Sequence, residues 1–154
     1  MSAAKRVVIW RSTLEMIKDH PFGVGFYHSE SVIGNYPDPK TGISNPERAT
    51  HNTFLRVAAE IGIQGFIVYF IIFSQTFFSM AKIRRSVKQY GLDMRLFEYA
   101  TMFQAALVGY FVAACFVDVI FIDLPWHLVG LCIALDRIAN KERTLRPMSM
   151  QEAL

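Results

Sequence analysis

The chain has 154 residues, 53% of them apolar, with 13 Phe and a mean hydropathy of +0.27, which excludes a disordered polypeptide and exceeds what a water-soluble domain of this size ordinarily carries. The formal charge of +3 and pI near 9.0 arise from basic residues set beside apolar stretches rather than along one polar face, a distribution that fits membrane topology and argues against a nucleic-acid partner. Cys115 and Cys132 both fall in apolar stretches and read as small membrane-buried residues rather than a disulfide or a metal pair.

The first 15 residues, MSAAKRVVIWRSTLE, turn polar again after four apolar positions and do not read as a cleavable signal. Val7, Trp10, Leu14 and Ile17 recur with helical spacing, predicting an amphipathic helix over residues 4–19 that lies with this apolar stripe on a surface of lipid or protein. Arg11 and Glu15, at i and i+4, are expected on its exposed side. Pro21 ends it. From Pro21 to Pro46 the chain holds four Pro and four Gly, which is loop chemistry; long loops of this kind are often functional.

Thr50 is the expected N-cap of a helix starting at His51 and running without a proline to Ala81. Its second part, Ile61 to Ala81, carries no charge and is long enough to cross the ~30 Å hydrocarbon core. Lys82, Arg84, Arg85 and Lys88 follow at once, so the positive-inside rule places residues 82–98 in the cytoplasm and residues 1–60 outside. Tyr99 to Val117 is a second charge-free stretch, with Ala105, Ala106, Gly109, Ala113 and Ala114 available for close helix contacts. Asp118 and Asp123 bracket the next turn. The apolar run Leu124 to Leu135 is shorter than a full crossing and reads as a last span ended by Arg137, Lys141 and Arg143.

The expected architecture is therefore all-α: a polytopic helical membrane protein with about three transmembrane helices preceded by a periplasmic helix and loop. Its expected regions are 1–60 outside, a membrane domain over 61–137 with spans near 61–81, 99–117 and 121–137, and a cytoplasmic tail over 138–154.

Residues 1–60 hold three of the four histidines, seven Lys or Arg and six Asp or Glu, enough for a hydrophilic site at the membrane surface. His51, expected in the first turn of the long helix, would meet the positive end of the dipole, which disfavours imidazolium and leaves a ring able to accept a proton; an interfacial capping histidine is the plainer alternative. Arg6, Arg11, Arg48 and Arg56 offer guanidinium forks suited to phosphate oxygens, or are solvated surface arginines. Glu60 either orients a neighbour or pairs with Arg56 one turn earlier. His20, His28 and His51 lack zinc-ligand spacing, and PFGVGF lacks the Lys-Ser/Thr of a phosphate loop. No metal and no cofactor is expected.

Four blocks in order carry a resemblance: Arg6-Val-Val-Ile-Trp10, Asp19-His20-Pro21-Phe22-Gly23-Val24-Gly25, His51-Asn52-Thr53-Phe54-Leu55, and Glu60-Ile61-Gly62-Ile63-Gln64-Gly65 running into a span. The sequence resembles the C-terminal region of the O-antigen ligase and polymerase superfamily, over about residues 5–80 by motif and beyond that by arrangement of apolar segments. The resemblance implies a metal-independent membrane glycosyltransferase of the bacterial inner membrane that moves a glycan from a polyprenyl-pyrophosphate carrier to a lipid or glycan acceptor. It implies that His51 activates the acceptor hydroxyl and that Arg6 holds the pyrophosphate, with Arg48 and Glu60 as weaker site candidates.

Family enzymes carry further spans before this loop, so the chain is expected to act as part of a longer or split enzyme, with those segments on another chain, and to be inactive alone. An O-antigen polymerase or a protein O-glycosylation ligase fits the same residues. A non-catalytic membrane subunit or scaffold, packing through the small residues of 105–114, is the reading from another class. A transporter is disfavoured by the lack of charge within the two long stretches.

Overall fold

The computed structural model describes residues 3–44, 49–119 and 122–151. The described residues form helices and connections only, with no strand. In chain order they are α1 (Ala3–Asp19), a one-turn α2 (Ser29–Val32) continued by a 3₁₀ turn (Ile33–Asn35), α3 (Thr53–Tyr90), α4 (Met94–Ala114) and α5 (Leu124–Gln151). They divide into two compact units, one of residues 1–70 with 111–122, the other of 71–110 with 123–154.

In the first unit, α1 stops at Asp19, as Pro21 requires, but it buries a different face from the expected one. Ile9, Ser12, Thr13 and Met16 are fully buried, whereas Val7 and Leu14 are exposed. The small hydroxyl residues Ser12 and Thr13 belong to the buried face, and Thr13 returns its hydroxyl to the Ile9 carbonyl at 2.8 Å. Arg11 and Glu15 do not pair with each other. Arg11 lies 3.6 Å from the buried Asp38 carboxylate, and Glu15 accepts from Lys18 at 2.7 Å. Val7 and Leu14 therefore remain free for a surface other than this chain's own.

α3 is broken at Gly62, whose φ of 83° and ψ of 177° belong to a region open essentially to glycine alone. The uninterrupted helix expected from His51 to Ala81 is thus two helical segments that meet at this residue. No proline signals the break; Gly62 does, because it alone tolerates the backbone that the neighbouring loop imposes.

In the second unit, Phe73, Thr76, Met80, Ile83 and Val87 are buried along α3 with alternating spacings of three and four, the stripe of a helix packed lengthwise on its neighbours. Leu96, Ala100 and Leu107 of α4 and Val129, Cys132, Leu135 and Ala139 of α5 complete the core, and Phe73 stacks on Tyr110 at 5.2 Å between ring centroids. The turn from α3 to α4 is short. Gly91 takes φ of 62° after the last turn of α3, and Asp93 caps α4 by accepting from the Arg95 amide at 2.9 Å. Of the small residues expected to make close contacts only Ala114 is buried; Ala105, Ala106, Gly109 and Ala113 are exposed, and a Cβ on Gly109 would meet nothing within 4 Å.

α3 and α4 are long and apolar enough to cross a bilayer, yet only 33% and 17% of their apolar windows is buried. Ile63, Ile67, Val68, Phe70, Ile71 and Phe78 of α3 and Met102, Val108 and Val112 of α4 point outward. The core helix of a water-soluble protein hides such residues; helices that display them along both lengths have lipid as their solvent. α5 does not meet the same measure, because its apolar run ends at Asp136.

Candidate active site

The break in α3 is built by the glycine loop after α1. Breaking a helix exposes carbonyls on one side and amides on the other, and each needs a partner. The Val24 amide donates to the Ala59 carbonyl at 2.9 Å and the Gly25 amide to that of Glu60 at 3.0 Å, while the Ile63 amide donates to the Pro21 carbonyl at 2.9 Å. Gln64 adds its side-chain amide to the Phe22 carbonyl at 3.2 Å. The approach is so close that a Cβ on Gly23 would stand 2.4 Å from the Glu60 carbonyl oxygen, and one on Gly62 2.5 Å from the Phe22 carbonyl carbon. The second and fourth sequence blocks are therefore one structural joint, with a glycine on each side.

Next to the joint lies a charge cluster centred on the nearly buried Arg56, with Glu30 at its exposed edge. Its Nε donates to Glu60 Oε1 at 2.9 Å, and its Nη1 meets Asp118 Oδ2 at 2.6 Å and Glu30 Oε1 at 3.2 Å. The Arg56 side chain is 11% exposed and that of Glu60 0%. Glu60 also accepts from the Tyr27 amide at 3.1 Å and the Ser29 hydroxyl at 2.6 Å, so one carboxylate ties the start of α2 to α3. The Arg56 guanidinium further lies over the Tyr27 ring at 5.8 Å. One cation against three carboxylates leaves the cluster net negative. Arg56 is thereby committed to protein carboxylates and is not a fork for phosphate.

The pairing of Arg56 with Glu60 is the one weighed from their spacing. Glu30 and Asp118 were not legible as members. Asp118 was visible only as the residue that ends a charge-free run, and the contact spans 62 positions of sequence.

The start of α3 also differs from expectation. The cap is Asn52, whose Oδ1 accepts from the Leu55 amide at 3.0 Å, and Thr50 instead presents its carbonyl to the Trp10 indole at 2.9 Å. His51 precedes the cap, outside the first turn, with φ of 46°. Asn52 and Thr53 also hold the turn after α4. The Asn52 side-chain amide donates to the Cys115 carbonyl at 3.2 Å, while Thr53 donates to the Val117 carbonyl at 2.8 Å and accepts from the Val119 amide at 3.0 Å. The backbone on the C-terminal side of half-buried His51 is thus fixed by the Asn52 and Thr53 contacts, and that on its N-terminal side by the Trp10 bond.

Arg6 lies one turn before Trp10 on α1, and its Nε is buried with no hydrogen-bond partner among the described residues. Trp10 reaches the residue next to His51, so the first and third sequence blocks also come together. Arg48 lies outside the described residues. Among the described residues no three His, Cys, Asp or Glu side chains gather closely enough to hold a metal ion.

Two features of the loop carry shifted acidities. Thr41, whose hydroxyl donates to Asp38 Oδ2 at 2.6 Å, holds the Asp38 carboxyl below the usual range against the opposing effect of burial, assisted by the Lys40 amide and Arg11. Burial, then the charge of Asp19, pushes the Tyr36 phenol up.

An all-α chain with outward-facing apolar helices and a polar loop joint at the head of the first of them is a helical membrane protein. Residues 1–70 match the family model described as O-antigen ligase, the segment in which all four sequence blocks lie. The resemblance read from those blocks is supported over that segment. No curated protein and no solved structure matches the chain.

Proposed function

We propose that the chain supplies the acceptor-activating part of an envelope glycan ligase, which transfers an O-antigen-type glycan from a polyprenyl-pyrophosphate carrier to an acceptor hydroxyl. The acceptor oxygen attacks the anomeric carbon as His51 takes its proton. The bond from that carbon to the carrier pyrophosphate breaks, and its electron pair leaves with the pyrophosphate. Arg6, with Arg48, meets the charge that develops there through bidentate hydrogen bonds. Glu60 serves by holding Arg56 and the Tyr27–Ser29 segment in place.

The observation that carries this reading is the family match over residues 1–70. It is supported by the division of labour among the arginines: Arg56 and Arg11 are matched to carboxylates, whereas Arg6 keeps a buried N–H that finds no acceptor among the described residues. The test is transfer from a polyprenyl-pyrophosphate-linked glycan by membranes that contain the chain together with the remaining segments of the enzyme and show transfer with the parent chain. His51→Ala is expected to lower the rate by about 10²- to 10⁴-fold with donor binding retained. Equal rates for the variant and the parent would reduce His51 to a structural residue and remove the reaction from this chain.

The proposed setting is the bacterial inner membrane, with residues 1–60 periplasmic, 61–137 membrane-embedded and 138–154 cytoplasmic, since the basic residues 82–88 crowd one end of α3. With Cys115 and Cys132 replaced, a cysteine at Ser44 is expected to react with an impermeant thiol reagent in intact cells and one at Ser86 to be protected; the opposite pattern would invert the orientation. The exposed Ala105, Ala106, Gly109 and Ala113 favour a second reading, a membrane subunit that packs against a partner helix. It would be preferred if the His51→Ala test failed.

A further inference from the structure

We propose that Arg84, Arg85 and Lys88, gathered around Phe97, form a binding site for the headgroup phosphate of an anionic phospholipid. The three basic residues, with Ala81 and Phe97, line a cavity of about 190 Å³. This is below the roughly 300–1,000 Å³ of clefts that enclose whole small molecules, and it suits a single phosphate group whose chains lie elsewhere.

Arg84 and Lys88 stand one turn apart on α3 and both rest on the Phe97 ring, at 5.4 and 5.3 Å from its centroid. Two cations drawn to one aromatic ring are held in one place without a carboxylate among them. Among the described residues none of Arg84, Arg85 and Lys88 takes part in an ion pair. Asp93, the acid of the adjoining turn, is engaged by Arg95, and Glu98, next to Phe97, pairs with none of the three. Arg84 donates to the Gln104 side chain, but its Nε is buried without a hydrogen-bond partner. Leaving a charged donor desolvated and unpaired is costly. A phosphate oxygen supplies the acceptor, and its charge offsets the mutual repulsion of the three cations.

Depth identifies the source of the phosphate. The charge-free stretch of α3 ends at Ala81, so Arg84 lies three residues, about 4.5 Å of helix axis, beyond it. That is the headgroup level of the leaflet in which the span ends, where basic pockets between membrane helices meet anionic lipid. The inference does not rest on the glycan-transfer reading, and its test is independent of it.

The full chain, purified in detergent and incubated with phosphatidylglycerol or phosphatidylcholine, would be examined by native mass spectrometry for retained lipid. Retention of phosphatidylglycerol over phosphatidylcholine, reduced about tenfold in the double variant Arg84→Gln, Lys88→Gln and preserved in the charge-matched control Arg137→Gln, Lys141→Gln, is the expected result. A further arm adds inorganic phosphate. Displacement of the lipid only at phosphate concentrations far above that of the lipid assigns the site to the headgroup, and displacement at equal concentrations assigns the same site to free phosphate. Equal retention of the two lipids, or equal loss in both double variants, would show non-selective attraction to the basic end of α3 and would overturn the site.

Discussion

Arg56 and Arg84 lie on the two segments of α3, each over an aromatic ring, and differ in the charges around them. Arg56 is surrounded by Glu30, Glu60 and Asp118; Arg84 stands beside Arg85 and Lys88 with an aromatic ring and no acid partner. In a chain with few charges the difference separates two uses of a guanidinium. Where carboxylates from distant parts of the sequence converge on it, the cation joins elements and specifies their register. Where only cations and an aromatic ring converge, the protein leaves the counter-charge to a ligand. Arg6, whose Nε is buried with no hydrogen-bond partner among the described residues, is the residue proposed above for a ligand's charge.

The comparison is sharpest in stability. Arg56→Gln leaves Glu60 buried without its cation and is expected to destabilise the first unit by about 3–5 kcal/mol. The corresponding Arg84→Gln removes no ion pair, only the hydrogen bond to Gln104 and the contact with Phe97, and is expected to cost no more than about 1 kcal/mol. Denaturant unfolding in detergent micelles checks both. Similar losses for the two variants would erase the distinction.

Smaller effects probe the joint and the cap that carry the acidic cluster. Gly62→Ala must hold a positive φ and push its Cβ against the Phe22 backbone, so a loss of about 1–3 kcal/mol is expected. Asn52→Ala removes the cap of α3, with an expected loss of about 1 kcal/mol, and Thr50→Ala, which leaves its carbonyl bond to Trp10 in place, a smaller one. Thermal scans of the pair decide which residue caps the helix.

The smallest expected effect is on pH dependence. Asp38 has a lowered pKa in the folded chain, so its contribution is present above the unfolded-state value of about 3.9 and is lost as pH falls through the folded value. Asp38→Asn is therefore expected to be less stable than the parent near neutral pH, with the difference closing in acid. A difference that persisted unchanged below pH 3 would mean that the hydrogen-bonding shape of the side chain, and not its charge, is what matters.

Much of this was legible in the residues themselves. The absence of charge over 61–81 and 99–117 announces the two membrane-length helices, and the i, i+4 spacing of Arg56 and Glu60 announces their pair. The order of the four blocks pointed to the family whose model matches residues 1–70. What was hidden depends on contacts between distant positions. Apolar periodicity laid Val7 and Leu14 on a surface of lipid or protein and passed over the opposite face of α1, because it does not count the buried Ser12 and Thr13. A helix rule saw no breaker in α3, since Gly62 is tolerated inside helices and only the loop of residues 21–25 makes it a break. Thr50 and Asn52 are both good caps by type; the bond from Trp10 to Thr50 decides between them. Asp118 carries no local sign that it faces Arg56.

Paired lysine substitutions separate the role proposed for Arg6, toward the ligand, from that of Arg56, toward the fold. Each keeps the charge and removes the fork. Arg6→Lys is expected to weaken binding of a polyprenyl-pyrophosphate-linked glycan to membranes containing the chain while leaving the unfolding midpoint unchanged. Arg56→Lys is expected to lower the midpoint, because one ammonium cannot satisfy the geometry of three carboxylates. A lowered midpoint with full donor binding for Arg6→Lys would contradict the account.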